Sequence, residues 1–256
     1  MLLTIDIGNT NISLGLFAGQ ELRAHWRLRT ERQRTSDEFG VLIPSLLASQ
    51  QVRLADLGGI IIASVVPPLN KDIQDFCRQY CGIDPMVVGP GLKTGMPIGY
   101  HNPHEVGADR IVNAVAAYHR FQTDLIVVDF GTATTFDCVS AAGSYLGGVI
   151  APGIMVSYEA LAQRTTKLPW IELFSSPKSV VGRDTASSMN AGIVYGYAGL
   201  VDGVVTAINR EQGLTNKVIA TGGLARTIAQ QARAIEEVDE QLTLKGLQLL
   251  YLRNLK

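Results

Sequence analysis

The chain has 256 residues, 46% of them hydrophobic and 18% charged, and a formal net charge of −1. That length can bury a substantial core, in one large domain or in two of about 120 residues. No basic surplus points to nucleic acid or an anionic membrane surface as a partner.

Residues 2–5 and 12–17 are apolar runs with strand character, and Asp6-Ile7-Gly8-Asn9-Thr10-Asn11 lies between them. The stretch therefore reads as the turn of a β-hairpin. Asn9 suits a hairpin turn, and Gly8 permits positive φ or close backbone approach. An acid at a strand end, beside hydroxyl and amide groups, can hold a metal-bound polyphosphate. It reads equally as an ordinary tight turn with a solvated aspartate.

Residues 21–29 alternate apolar with polar, which predicts a half-buried third strand. Thr35-Ser36-Asp37-Glu38 opens a helix rich in Leu and Ile, with Ser36 as the expected N-cap. Residues 59–66 form a continuous apolar run, expected to be a central parallel strand. Pro67-Pro68 stops that strand, a helix is expected over 70–81, and residues 84–88 suggest another short strand. The first third thus reads β-β-β-α-β-α-β. Residues 89–107 are punctuated by Gly89, Pro90, Gly91, Gly95, Pro97, Gly99, Pro103 and Gly107. Irregular stretches of that length in compact domains are often functional. A helix over 108–121 follows, with Ile111, Val112, Val115 and Ala116 on its apolar face.

The next segment repeats the first. Residues 124–128 read as a strand, Asp129-Phe130-Gly131-Thr132-Ala133-Thr134-Thr135 as a second acid-Gly-hydroxyl turn, and 136–140 and 144–150 as two returning strands. A helix over 154–164 completes the copy. Two such turns imply two facing half-domains. Thr185 to Arg210 reads as one long helix of small residues, suited to close helix packing, and 217–220 as a strand. Thr221-Gly222-Gly223-Leu224-Ala225 then opens a helix, where backbone N–H groups favour a nucleotide. A last helix is expected over 243–253.

Cys77, Cys81 and Cys138 are an odd, sparse set that fits a reducing compartment. Cys77 and Cys81 read as small buried residues rather than half a zinc site, because no second pair exists. His25, His101, His104 and His119 have no metal-binding spacing. There is no basic leader, and no uninterrupted apolar run approaches about 18 residues. The expectation is a cytoplasmic protein without a membrane span. No G-x-x-x-x-G-K-[ST] stretch occurs, so a phosphate cradle would have to be built from the hairpin turns.

The two turns and the late Thr-Gly-Gly resemble the acetate and sugar kinase, Hsp70 and actin superfamily. Within it the chain closely resembles the type III pantothenate kinases. Asn102-Pro103-His104-Glu105-Val106-Gly107-Ala108-Asp109-Arg110 matches their N-P-x-E-V-G-A-D-R segment. The second turn, Gly148-Val149-Ile150-Ala151-Pro152-Gly153, Thr165-Thr166-Lys167-Leu168-Pro169 and Gly182-Arg183-Asp184-Thr185 resemble further family segments. The matches run in order from about residue 5 to residue 225.

The resemblance implies two ribonuclease-H-like α/β half-domains, about 1–118 and 119–256, with ATP in the cleft. It implies ATP-dependent phosphorylation of pantothenate on its primary hydroxyl, the first step toward coenzyme A. Asp109 would be the general base, although by position alone it is also a helix N-terminal acid complementing the macrodipole. Asp6, Ile7, Gly8, Asn9, Thr10, Asn11, Ile12, Ser13 and Thr132 would meet the nucleotide, and Asp6 would hold Mg²⁺, through water. Asp129 would bind a monovalent cation, K⁺ or NH₄⁺. Tyr100, Gly107, Ala108, Asp109, Arg110 and Thr185 would contact the substrate. By spacing alone Thr185 is the N-cap of the long helix, and Arg110 also fits a salt bridge to Glu105 or Asp109. The family is dimeric, and the helix from Thr185 would suit the interface. The alternative is a catalytically silent ATP-binding regulator of the same fold.

Overall fold

A computed structural model describes residues 1–165 and 176–255; of the family-like segments, Thr166-Lys167-Leu168-Pro169 lies outside the described residues. In chain order the first elements are β1 (Leu2–Ile7), β2 (Asn11–Ala18), β3 (Glu21–Arg29), α1 (Ser36–Ala48), β4 (Gly59–Ser64), α2 (Pro67–Cys81), β5 (Met86–Val87) and α3 (Ala108–Phe121). There follow β6 (Leu125–Phe130), β7 (Ala133–Val139), β8 (Tyr145–Pro152), α4 (Ile154–Arg164), α5 (Thr185–Gln212), β9 (Lys217–Gly222), α6 (Ala225–Ala229), β10 (Glu237–Val238) and α7 (Leu242–Asn254).

The strands form two sheets with one plan. The first has the order β3-β2-β1-β4-β5, and the second, read from its far edge, β8-β7-β6-β9-β10. In each, the first strand is central. It pairs antiparallel with the strand after its turn and parallel with the fourth. The internal repeat seen in the sequence is therefore a repeat of topology. In both copies the acid-bearing turn sits at the carboxyl end of the central strand, where open α/β sheets place ligands.

The chain divides into two compact units. One comprises Met1–Met96, His101–Ala116 and Leu242–Lys256, the other Pro97–Tyr100 and Ala117–Gln241. This departs from a division into 1–118 and 119–256 in two places. First, α7 completes the first unit. Leu242, Leu244, Leu247 and Leu250 are buried, and the helix packs against β1, β2 and β4. A Cβ at Gly246 would collide with the Val112 carbonyl, so glycine permits the close approach of α7 to α3. Second, Pro97–Tyr100 joins the second unit, because Tyr145 donates its N–H to the Pro97 carbonyl (2.9 Å) and accepts from the Gly99 N–H (2.7 Å).

Local chemistry explains the remaining shifts. The N-cap of α1 is Thr35 rather than Ser36. The Thr35 oxygen accepts from the Glu38 N–H (3.3 Å), and the Glu38 carboxylate accepts from the Thr35 N–H (2.8 Å), a reciprocal capping box. Helix α2 begins at Pro67, three residues earlier than expected, because proline at the first helical position loses no hydrogen bond. Strand β5 is shorter than its apolar run, and α6 has only five residues.

Each unit has its own core. The first gathers Leu3, Ile5, Ile7, Ile12 and Leu14 with Phe39, Ile43 and Phe76 from α1 and α2. The second gathers Ile126, Val128 and Phe136 with Val194, Tyr197, Val201 and Val205 of α5. Helix α5 is long and apolar enough to cross a bilayer by composition, but Val194, Tyr197, Val201 and Val205 are spent on this core. Cys77 is buried and Cys81 half-buried, and burial pushes their thiols up to about 12 and about 11. Neither is a thiolate at neutral pH, and no group of three metal-ligating side chains occurs among the described residues.

Candidate active site

In the first unit the turn is closed by Gly8, whose N–H donates to the Asn11 carbonyl at 3.0 Å. Asp6 stands half-buried near the end of β1, paired with Ser13 on one side and Ala63 on the other. Asn9, Thr10 and Asn11 are exposed, as a ligand turn requires. Ile7 and Ile12 are fully buried in the core. Only their backbone is available to a nucleotide.

The loop carrying the N-P-x-E-V-G-A-D-R segment brings Asp109 to the same end of the sheet. Val65 follows β4 and donates its N–H to the Ile7 carbonyl at 3.0 Å. A Cβ placed on Gly107 would lie 3.6 Å from Val65 and 2.5 Å from Asp109 Oδ1. Gly107 is therefore glycine because the carboxylate occupies the space a side chain would need. Asp109 Oδ1 accepts from the Arg110 N–H at 2.9 Å. Burial raises the Asp109 carboxyl above the ordinary aspartate range, against the opposing pull of the Arg110 amide and charge. A desolvated carboxylate at a helix start is a stronger base than a solvated one. Arg110 is 8% exposed, and its positive charge acts on Asp109. Glu105 is engaged by Asn102, which donates from Nδ2 at 2.8 Å.

In the second unit Gly131 donates its N–H to the Ala133 carbonyl at 3.0 Å, the counterpart of the Gly8 bond. Asp129 is flanked by Thr135 on β7 and Thr221 on β9. Gly222 has φ +94, and a Cβ there would lie 2.7 Å from Asp129 Oδ1 and 2.6 Å from the Phe130 carbonyl. Glycine at 222 therefore lets the Asp129 carboxylate and the Phe130 carbonyl pack directly against the end of β9. The helix after Thr221-Gly222-Gly223 is too short to offer the N-terminal field expected from the sequence. Thr132 is exposed at the tip of the turn. Gly153 packs against the Gly131 and Thr132 carbonyls so closely that a Cβ would overlap them.

Tyr100 lies on Tyr145, with ring centroids 6.4 Å apart. Tyr145 is fully buried and donates its hydroxyl to Asp137 Oδ1 at 2.7 Å. Asp137, also fully buried, accepts from Thr135 Oγ1 at 3.1 Å. The expected substrate tyrosine is therefore seated on a buried polar chain that residue-by-residue reading missed. The alternation of Thr135 and Asp137 along one strand face was the available signal.

Thr185 is not the cap of α5. Asp184 is, and its side chain accepts from the Ser187 N–H at 2.8 Å. That bond holds the Asp184 carboxyl below its ordinary range. Thr185 instead lines an open cavity of about 780 Å³ with Leu161, Gly182, Arg183 and Met189. Within the first unit the structure gathers Asp6–Ser13 and Gly107–Arg110. Within the second it gathers Asp129, Thr132 and Gly222, with Tyr100 packed against Tyr145 of β8 and Thr185 at its own cavity.

A five-stranded sheet repeated twice, each copy with an acid-bearing turn on its central strand, defines a protein of the sugar kinase and actin-like ATPase fold. Solved structures agree. An inorganic polyphosphate/ATP-glucomannokinase from Arthrobacter sp. strain KM matches with TM-score 0.50 at 14% identity, over 99% of each chain. Component A of (R)-2-hydroxyglutaryl-CoA dehydratase from Acidaminococcus fermentans matches with TM-score 0.56 at 15% identity, over 98% of this chain and 96% of the other. The family profile of type III pantothenate kinase covers residues 2–207. A type III pantothenate kinase from Syntrophobacter fumaroxidans is 57% identical over 100% of this chain and 99% of its own. The chain belongs to the type III pantothenate kinase family, kinases of coenzyme A biosynthesis.

Proposed function

We propose that this chain transfers the γ-phosphoryl group of ATP to the primary hydroxyl of pantothenate. The observation that carries the reading is Asp109, a desolvated carboxylate held by Gly107 beside Val65, at the sheet end that also carries the Asp6 turn. Phosphoryl transfer has a loose transition state, so Asp109 chiefly orients the hydroxyl and accepts its proton. Arg110, with its planar fork, suits the pantothenate carboxylate or a phosphate. In the first unit the exposed Asn9, Thr10 and Asn11 suit contact with ATP phosphates; in the second, Thr132 suits phosphate, and Tyr100 and Thr185 suit pantothenate.

The oxygen donors fit hard cations. Asp6, with water, suits Mg²⁺, and the Asp129 carboxylate, with the Phe130 carbonyl also close to Gly222, offers oxygen donors suited to a monovalent ion. Such ions would neutralise phosphate charge. The purified chain is expected to form phosphopantothenate from ATP, Mg²⁺, K⁺ and pantothenate, with activity strongly depressed when Na⁺ replaces K⁺. ATP binding without product favours the regulatory alternative, and indifference to the monovalent ion removes Asp129 from that role.

The same reading makes the protein a cytoplasmic homodimer with neither nucleic acid nor membrane as a partner. Support for the dimer lies on α5. Gly192, Gly196, Gly199 and Gly203 are exposed at helical spacing, and a Cβ on any of them would meet nothing within 4 Å. Among the described residues nothing packs on those positions, which leaves their bare backbone available to a second copy. Gly199→Arg should leave the helix intact, since arginine is the better helix former. Sedimentation is expected to show a monomer with impaired activity. A fully active monomer would defeat the dimer reading.

A further inference from the structure

The first turn is held from behind by a residue outside it. Thr30 directly follows the last residue of β3. Its hydroxyl donates to the Gly8 carbonyl at 2.6 Å, and its N–H donates to the Thr10 carbonyl at 3.0 Å. A trans peptide is planar, with C=O and N–H pointing in opposite directions. Fixing the Gly8 carbonyl on Thr30 therefore turns the Asn9 N–H away from Thr30. Fixing the Thr10 carbonyl turns the Asn11 N–H the same way. Two backbone donors are thus aimed to one side of the turn, the arrangement that binds anions.

The second unit uses the same position by another means. Gly153 directly follows the last residue of β8, as Thr30 follows β3, and its backbone presses on the Gly131 and Thr132 carbonyls. In both copies the residue after the third strand braces the turn between the first two strands. One copy does so with a hydroxyl, the other with the absence of a side chain.

We propose that Thr30 is a positioning residue for the ATP phosphates, preorganising the Gly8–Asn11 amides before nucleotide binds. The inference rests on the assignment of this turn to phosphate. Thr30→Val keeps the branched shape and the backbone bond but loses the hydroxyl donor, whereas Thr30→Ser keeps the donor. Full-length Val variant is expected to raise the KM for ATP by about tenfold, the effect of one lost hydrogen bond. The KM for pantothenate stays within about twofold, because the substrate segment does not depend on this bond. Amide exchange across residues 8–12 of the ligand-free chain speeds up. Thr30→Ser restores both readouts.

An unchanged KM for ATP in the Val variant overturns the inference. So does an equal rise for both substrates, or a Ser variant as impaired as Val, since packing would then explain the effect. If the Val variant fails to fold, the amide exchange and KM of Thr30→Ala decide in its place, with the same expected and overturning results. Thr10→Ala and Asn11→Ala separate the two layers. If they raise the KM for ATP while Thr30→Val does not, only the positioning role falls. If neither they nor Thr30→Val changes it, the turn is not the phosphate site and both fall.

Discussion

Asp109→Asn is expected to lower turnover by about 10²- to 10⁴-fold, the range for loss of a general base, while the chain stays folded. Asparagine keeps the shape and can still accept from the Arg110 N–H. It cannot take a proton from the substrate hydroxyl. The stability effect should run the other way. Burial raises the folded-state value of the Asp109 carboxyl above its unfolded value, so ionised Asp109 opposes folding. That cost is absent below the ordinary aspartate range and grows as pH rises through the folded value. The Asn variant should therefore melt at a higher temperature at pH 7, with the gain vanishing in acid. In the parent enzyme, the acid limb of kcat/KM should lie above the ordinary aspartate range. Near-normal turnover in the Asn variant removes Asp109 from the mechanism, and a lower melting temperature at pH 7 contradicts the desolvated carboxylate.

The second large effect is expected at Gly222→Ala. Two costs combine there. The backbone has φ +94, which a β-carbon strains, and that carbon would press on Asp129 and the Phe130 carbonyl. The carboxylate has to move, and a displacement near 1 Å in a catalytic constellation costs about 10²-fold. Activity should fall by about that factor, and the dependence on K⁺ should weaken with it. Circular dichroism should change little, because Gly222 ends β9 rather than filling the core. Retained K⁺ activation with normal turnover would separate Gly222 from Asp129.

Much of this site was legible because its signals are local. Asp6 and Asp129 end apolar strands, and the glycine that follows each marks its turn. Their repetition along the chain points to two half-domains, but the strand order of each sheet rests on pairings between distant segments that the sequence does not specify. The Thr35 cap was missed by one position, since neighbouring hydroxyls compete and only the reciprocal Glu38 bond selects one. Pro67 was read as a strand stop, although proline both ends a strand and starts a helix. The larger omissions are non-local. Thr30 acts 22 residues from Gly8. Tyr145 reaches the 97–100 segment through backbone bonds that carry no side-chain code. The membership of α7 depends on which sheet offers a complementary apolar face, and an amphipathic pattern cannot say which of two sheets that is.

The return of α7 to the first unit has a consequence for synthesis. Translation delivers the N-terminal unit's strands first but its closing helix last. Until residues 242–254 leave the ribosome, β1, β2 and β4 lack the side chains of Leu242, Leu244, Leu247 and Leu250. The second unit, whose residues all precede α7, can complete its core earlier, reversing the usual N-terminal-first order. A chain truncated just before α7 would therefore lose the base-bearing unit while keeping a well-formed second sheet, so damage to residues 242–254 would surface at Asp6 and Asp109.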